Sequence, residues 1–138
     1  MSYLVDTNVL SEWRKGTRAN AGVVSWFEEV ADDDIHISVL TVGELRCGIN
    51  RIERRDATTA RLLDRWLRGI VKGFHERLLP IDQAVAEEWG RMNAAHSLPV
   101  VDSLLAATAK VHGLTLVTRN TKDITPTGIH CLNPFRDR

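Results

Sequence analysis

The chain is poor in several features that would each point to a different class of protein. No apolar run approaches the roughly 20 residues of a membrane-spanning helix, so no membrane partner is predicted. Only two cysteines occur, Cys47 and Cys131. They argue against a disulfide framework and are typical of reduced core thiols in a cytoplasmic protein. Lysine is also scarce: 14 of the 18 basic residues are arginine, which suits bidentate contact with phosphate or carboxylate.

Length and charge indicate one globular domain without an obvious partner. The 138 residues leave no room for a second domain, so residues 1–138 are predicted to fold as one unit. The formal net charge is zero, which by itself does not favour a nucleic-acid partner. No basic segment followed by an apolar one opens the chain. We therefore predict no signal peptide and a cytoplasmic location.

The hydrophobic pattern predicts strands that alternate with pairs of helices. Strand-like segments occur at 3–5, 35–37, 78–81, 114–117 and, more weakly, 129–132. Helices are predicted from position 7 or 8 to about 15, then over about 21–30, 39–55, 57–76, 83–96 and 101–112. Residues 118–123 are predicted to form a loop. This order predicts an α/β fold in which a mainly parallel sheet lies between helical layers.

Three acidic residues in apolar settings are the candidate site. Asp6 ends the first strand, where open α/β sheets bind ligands, and Asp102 begins an almost wholly apolar helix. Either could instead be an ordinary acid at a helix N-terminus. Glu44 lies off its helix's apolar stripe, so periodicity alone predicts that it is exposed. In the last loop, Asn120 and Asp123 are further candidates, although turns favour both residue types.

Such a set of acids suits one chemistry in particular. Mg²⁺ and Mn²⁺ prefer oxygen ligands, and a site of carboxylates and water supports phosphodiester hydrolysis. No Cys-x-x-Cys or paired-histidine spacing occurs, so a zinc site is not predicted.

Four blocks of sequence closely resemble PIN-domain ribonucleases, in particular the VapC toxins of bacterial type II toxin–antitoxin modules. The blocks span residues 4–12, 38–48, 102–109 and 116–124, in the right order. The resemblance implies a three-layer α/β/α PIN-like domain with about five strands and Mg²⁺- or Mn²⁺-dependent cleavage of tRNA or ribosomal RNA. It also implies neutralisation by a cognate antitoxin. The resemblance further implies a homodimer that forms a larger complex with the antitoxin. In that complex only the antitoxin would contact DNA.

The resemblance also assigns roles to individual residues. Asp6, Glu44 and Asp102 fall on the family's acidic positions, with Asp6 and Asp102 as the principal metal ligands. Asn120 stands at the fourth position, which is often Asp, and Asp123 could take its place. The neighbours implied to orient the acids or brace the loop are Thr7, Asn8 and Thr118.

A stripe of basic residues marks the long helix in the middle of the chain. Arg61, Arg65, Arg68 and Lys72 share one face, opposite an apolar stripe. The face could simply be solvated, or it could contact an RNA backbone or an acidic antitoxin segment.

Other readings of the acids remain open from sequence. The chain could be a phosphoryl-transfer or receiver-like domain that uses Asp6 as a nucleophile, although Asn8 removes the Asp-x-Asp pair of one such family. It could also be a non-catalytic binding module of the same fold. Within the nuclease reading, the alternative is a housekeeping RNA-processing enzyme without an antitoxin.

Overall fold

A parallel sheet of short strands forms the centre of the protein. The computed structural model describes residues 1–95 and 97–137. Within them, five strands lie in the order β3-β2-β1-β4-β5, and every pair is parallel. The strands are β1 (Tyr3–Val5), β2 (Ile35–Ser38), β3 (Leu78–Leu79), β4 (Thr115–Val117) and β5 (Cys131–Leu132).

Helices fill the connections between these strands and cover both faces of the sheet. They are α1 (Thr7–Trp13), α2 (Ala21–Glu29), α3 (Val39–Glu53), α4 (Ala57–Gly73), α5 (Gln83–Ala95), α6 (Val100–His112) and α7 (Thr121–Ile124). The predicted three-layer α/β/α fold with a five-stranded parallel sheet is confirmed. None of the helices in the described ranges is both long and apolar enough to span a membrane.

Alternation along the central strands separates the two halves of the core. Leu4 of β1 packs in one cluster with buried residues of α5, α6 and α7. The next residue, Val5, belongs to the cluster on the opposite face, with residues of α1, α2 and α4. Successive strand residues point to opposite faces, so each strand contributes to both cores. Both side chains are fully buried.

Several predicted boundaries differ from the structure. The predicted loop at 118–123 is wrong in its second half, since α7 begins at Thr121 and buries Ile124 in the core. Helix α4 ends at Gly73 rather than residue 76, and β3 has two residues rather than four. The predicted end of α5 at His96 lies outside the described residues. Cys47 is exposed, so the prediction of two core thiols is wrong.

The chain order creates a crevice beside β1. From β1 the chain moves outward to β2 and β3 on one side, and later returns to place β4 and β5 on the other. Adjacent connections therefore leave the sheet in opposite directions at the carboxyl ends of β1 and β4. Open α/β sheets bind ligands at this kind of switch point.

Candidate active site

Asp6 lies at the switch point because the first strand ends there. Its backbone N–H donates to Val117 O at 2.9 Å, which extends the β1–β4 pairing by one residue. Its side chain then caps α1 by accepting from Thr7 N at 2.7 Å. Only 5% of Asp6 is exposed. Strand pairing and the helix cap together fix this carboxylate over the crevice.

Two further donors hold the second carboxylate oxygen of Asp6. Thr118, which directly follows β4, donates its hydroxyl to Oδ2 at 2.7 Å, and Asn8 Nδ2 donates at 3.3 Å. Burial nevertheless raises the pKa of Asp6, and the hydrogen bonds from Thr118, Thr7 and Asn8 only partly oppose that rise. Among the described residues, no basic side chain lies at ion-pair distance from Asp6.

Glu44 reaches the site from α3 through a hydroxyl. The Thr7 hydroxyl donates to Glu44 Oε1 at 2.6 Å and lies 3.2 Å from the hydroxyl oxygen of Thr41. Glu44 is exposed, as periodicity predicts, yet it faces the crevice. Sequence reasoning missed Thr41, which is fully buried. Its position three residues before Glu44, on the same helix face, is the signal that could have found it.

Asp102 projects from the first turn of α6 and completes the convergence of acids. The helix behind it is buried, as predicted, and includes Leu105 and Ala106. Burial raises the pKa of Asp102, and the charges of Asp6, Asp123 and Glu44 raise it further. Three carboxylates from separate parts of the chain therefore lie close enough to Asp102 for their charges to act on it.

Asn120 and Asp123 occupy different positions relative to this cluster. Asn120 precedes α7 and is linked to the site through its backbone N–H, which donates to the Thr118 hydroxyl at 3.0 Å. Its side chain makes no capping hydrogen bond to α7 in the described chain. Asp123 lies within α7, and its charge acts directly on Asp102. The charge of Asp123 therefore reaches Asp102, whereas the hydrogen bond that links Asn120 to the site is made by its backbone.

The donor set matches a hard divalent cation. Asp6 and Asp102 would hold it, with Glu44 and Asp123 beside them, because these oxygens repel one another without a cation. Among residues 1–95 and 97–137, no three His, Cys, Asp or Glu side chains lie close enough together to hold a metal ion. The protein side chains would therefore supply only part of the coordination, and Mg²⁺ commonly keeps several water ligands.

The basic stripe on α4 lies beside a groove whose lining includes none of the four clustered acids. All four predicted residues, Arg61, Arg65, Arg68 and Lys72, are exposed. Sequence reasoning missed Asp64, which accepts from Arg46 at 2.8 Å and from Arg68 at 2.9 Å.

The groove between α3 and α4 has a volume of about 550 Å³. Val42, Leu67 and Val71 give it an apolar lining, and basic side chains that include Arg68 and Lys72 surround them. Arg61 and Arg65 do not line it. Only part of the predicted stripe therefore borders a concave surface.

Comparison with known proteins identifies the family. The family model described as "PIN domain" matches residues 3–124, which include every acid of the cluster. The chain belongs to the PIN-domain family. This membership favours the nuclease interpretation over the receiver-like and phosphoryl-transfer readings. The sequence-based assignment to PIN-domain proteins of the VapC toxin type is confirmed.

Individual relatives match the PIN-domain chain along nearly its whole length. Toxin FitB of Neisseria gonorrhoeae is 32% identical and covers 97% of this chain and 99% of its own length. VapC ribonuclease Y4jK of Sinorhizobium fredii is 28% identical, with 96% of both chains covered. A toxin–antitoxin complex from Klebsiella pneumoniae contains a chain with a TM-score of 0.71 and 27% identity. That match covers 99% of this chain and all of the other.

Proposed function

We propose that this protein is the toxin of a type II toxin–antitoxin system and an endoribonuclease dependent on Mg²⁺ or Mn²⁺. The observation that carries the proposal is the convergence of Asp6, Glu44, Asp102 and Asp123 at the switch point of a PIN fold. The relative named as a VapC ribonuclease supports RNA as the substrate class. By family resemblance, the RNA is a tRNA or ribosomal RNA.

The residues of the site divide the work of hydrolysis. Asp6 and Asp102 would hold the cation, and Thr118 and Thr7 keep Asp6 and Glu44 in their orientations by hydrogen bonds of 2.7 and 2.6 Å. When bound, a divalent cation lowers the pKa of a water molecule and stabilises charge on the phosphate oxygens. Glu44 is exposed and held at the edge of the site, where it can accept a proton from the attacking water.

Cleavage of RNA by the purified protein tests this function. Wild type should cleave a total tRNA preparation in Mn²⁺ or Mg²⁺ and lose that activity in EDTA. Asp6→Ala and Asp102→Asn should each lower the initial rate by about a hundredfold or more, the usual scale for losing a catalytic electrostatic group. Glu87→Gln, an exposed acid on α5, is the matched control and should cleave like wild type.

Equal cleavage by wild type and Asp6→Ala would indicate a contaminating nuclease and refute the enzymatic proposal. Absence of cleavage in wild type on tRNA and ribosomal RNA alike would refute it as well.

A cognate antitoxin is the proposed protein partner, and it would contact the groove between α3 and α4. The solved toxin–antitoxin complex supports an antitoxin partner for this fold. An apolar lining with a basic rim fits an acidic, partly apolar protein segment better than a nucleic-acid backbone. We further propose a homodimer within a larger toxin–antitoxin complex, in the cytoplasm, in which only the antitoxin contacts DNA.

Charge reversal tests the groove. Arg68→Glu combined with Lys72→Glu should weaken antitoxin binding and make the remaining affinity less sensitive to salt. Arg65→Glu changes an exposed residue of the same helix that does not line the groove, so it is the matched control. Titration calorimetry with the cognate antitoxin measures both. Equal affinity of the groove variant and the control would exclude this docking surface.

A further inference from the structure

We propose that a polar pocket beside the acid cluster holds a phosphate of the RNA strand, with Arg119 as its principal contact. The pocket lies between α1, the start of α2 and the C-terminal segment, and its volume is about 440 Å³. This inference rests on the proposed RNA substrate and extends it to a second binding position. The lining of the pocket includes three cationic side chains, Lys15, Arg119 and Arg136, and two carboxylates.

Arg119 is physically tied to the candidate active site. Its backbone N–H donates to Asn8 Oδ1 at 3.2 Å, and Asn8 Nδ2 donates to Asp6 Oδ2 at 3.3 Å. One asparagine side chain therefore bridges Asp6 and the segment that carries Arg119. The segment that carries Arg119 therefore lies next to Asp6, because Arg119 directly follows Thr118, the hydroxyl donor to Asp6.

The Arg119 side chain is oriented but not neutralised. Its guanidinium carbon lies 4.6 Å from the centroid of the Phe135 ring, a cation–π contact. Within residues 1–95 and 97–137, no carboxylate lies at ion-pair distance from Arg119. A positioned guanidinium that lacks a carboxylate partner suits the bidentate geometry of phosphate.

The C-terminal segment that supplies Phe135 is anchored on α2. Asn20 donates through Nδ2 to Arg136 O at 2.8 Å and accepts from Arg136 N at 2.9 Å. Gly22 allows this close approach, since a Cβ there would lie 2.2 Å from Pro134 O. The wall behind Arg119 is therefore built by specific contacts between residues far apart in the chain.

The acids of the pocket do not cancel its positive character. Glu12 is buried, accepts from Lys15 at 2.9 Å and accepts from the backbone N–H of Asn20 at 2.9 Å. Lys15 pairs with Glu12, and among the described residues that line the pocket Arg119 and Arg136 then face one exposed acid, Asp137. An anion is the ligand that this balance favours.

The spacing from the acid cluster fits a neighbouring nucleotide. Glu12, which lines the pocket, lies six residues beyond Asp6, the N-cap of α1, which corresponds to a rise of about 9 Å along the helix axis at about 1.5 Å per residue. A nucleic-acid strand advances about 3.4 Å per nucleotide in a duplex, so the pocket lies within about three nucleotides of the cleaved bond. Continuity with Asp6 favours RNA here over an acidic protein segment.

Binding of a fluorescently labelled single-stranded RNA, measured by anisotropy in EDTA over a series of KCl concentrations, tests the pocket without any cleavage. Arg119→Gln should weaken affinity about tenfold, the effect of losing a charged hydrogen bond. It should also reduce the slope of log affinity against log salt by about 0.7. Phe135→Leu should weaken affinity by a smaller factor. Arg18→Gln, which removes an exposed arginine outside the pocket, should bind like wild type.

Three results would overturn the proposal. The first is absence of RNA binding by wild type, and the second is equal RNA affinity of Arg119→Gln and Arg18→Gln. The third is an Arg119→Gln variant that loses the binding of a poly-glutamate peptide seen with wild type but keeps the RNA affinity of wild type. The last result would assign Arg119 to a protein partner. The binding assay is independent of the nuclease proposal, because a wild type that binds RNA through Arg119 but never cleaves it would refute only the activity.

Discussion

Two buried carboxylates in this protein have opposite electrostatic surroundings. Asp6 is 5% exposed and Glu88 is 8% exposed, so burial alone penalises both charges. Glu88 accepts from Lys110 at 2.6 Å and from Arg91 at 3.1 Å, and these hydrogen bonds lower its pKa despite the burial. Burial raises the pKa of Asp6, which has hydroxyl and amide donors around it and other acids nearby.

The difference distinguishes an acid that forms structural ion pairs from the acids of the candidate active site. Glu88 belongs to a complete ion cluster that joins α5 to α6. The charge of Asp6 raises the pKa of Asp102, and we propose that a bound divalent cation relieves this repulsion. Perturbed carboxylates in a crevice are typical of functional sites.

Loss of Asp123 should have the larger effect on the active-site side of the comparison. Asp123→Asn removes a charge that acts on Asp102, and we expect a fall of about tenfold in RNA cleavage, or about 1.4 kcal/mol. Asn120→Ala should have a smaller effect, because the structural link of Asn120 to Thr118 is made by its backbone. Initial rates in Mn²⁺ measure both. A larger loss of activity in Asn120→Ala than in Asp123→Asn would assign the fourth position of the site to Asn120.

Loss of Glu88 should affect stability and spare activity. Glu88→Gln should lower the free energy of unfolding by about 1 kcal/mol, a modest value because Lys110 and Arg91 are largely exposed to solvent. Cleavage should be unchanged. Urea unfolding is the measurement, with Glu87→Gln as the exposed neighbouring control. A Glu88→Gln variant that unfolds like the control would show that the ion cluster contributes nothing measurable.

The pH dependence of unfolding in EDTA should give the two acids opposite signs. The pKa of Glu88 is lowered from 4.5, so its stabilisation is present above about pH 4.5 and is lost as pH falls through the lower folded value. The pKa of Asp102 is raised from 3.8, so its ionisation destabilises the fold as pH rises through that window. As pH rises from acid to neutral, the free energy of unfolding of wild type should therefore rise relative to Glu88→Gln and fall relative to Asp102→Asn. Parallel curves for all three proteins would contradict both assignments.

The sequence predicts the positions of the acids better than it predicts the contacts between them. Asp6 and Asp102 could be predicted because strand ends and helix starts are local features. The involvement of Glu44 could be predicted only from the family resemblance, since periodicity reports burial whereas Glu44 is exposed and joined through Thr7, 37 residues away. A tertiary hydrogen bond of this kind leaves no periodic signal.

Short elements held by tertiary packing were also beyond local prediction. The four-residue helix α7 has no capping hydrogen bond from Asn120 within the described chain, and helices this short have little intrinsic stability. Burial of Ile124, which is 2% exposed, supplies the packing that holds it. The clamp of Asn20 on Arg136 spans 116 residues and could not be predicted from either segment alone.

The most direct test of the central claim is thermal unfolding during a Mn²⁺ titration of wild type and Asp102→Asn. We predict that wild type is less stable than Asp102→Asn in EDTA. Its free energy of unfolding should rise by about 2.7 kcal/mol when Mn²⁺ is present at about a hundredfold excess over its dissociation constant. Asp102→Asn should gain much less at the same concentrations, because a ligand is lost and the repulsion is already relieved. An unchanged melting temperature in wild type, or equal stabilisation of both proteins, would contradict the claim that these acids form a metal site.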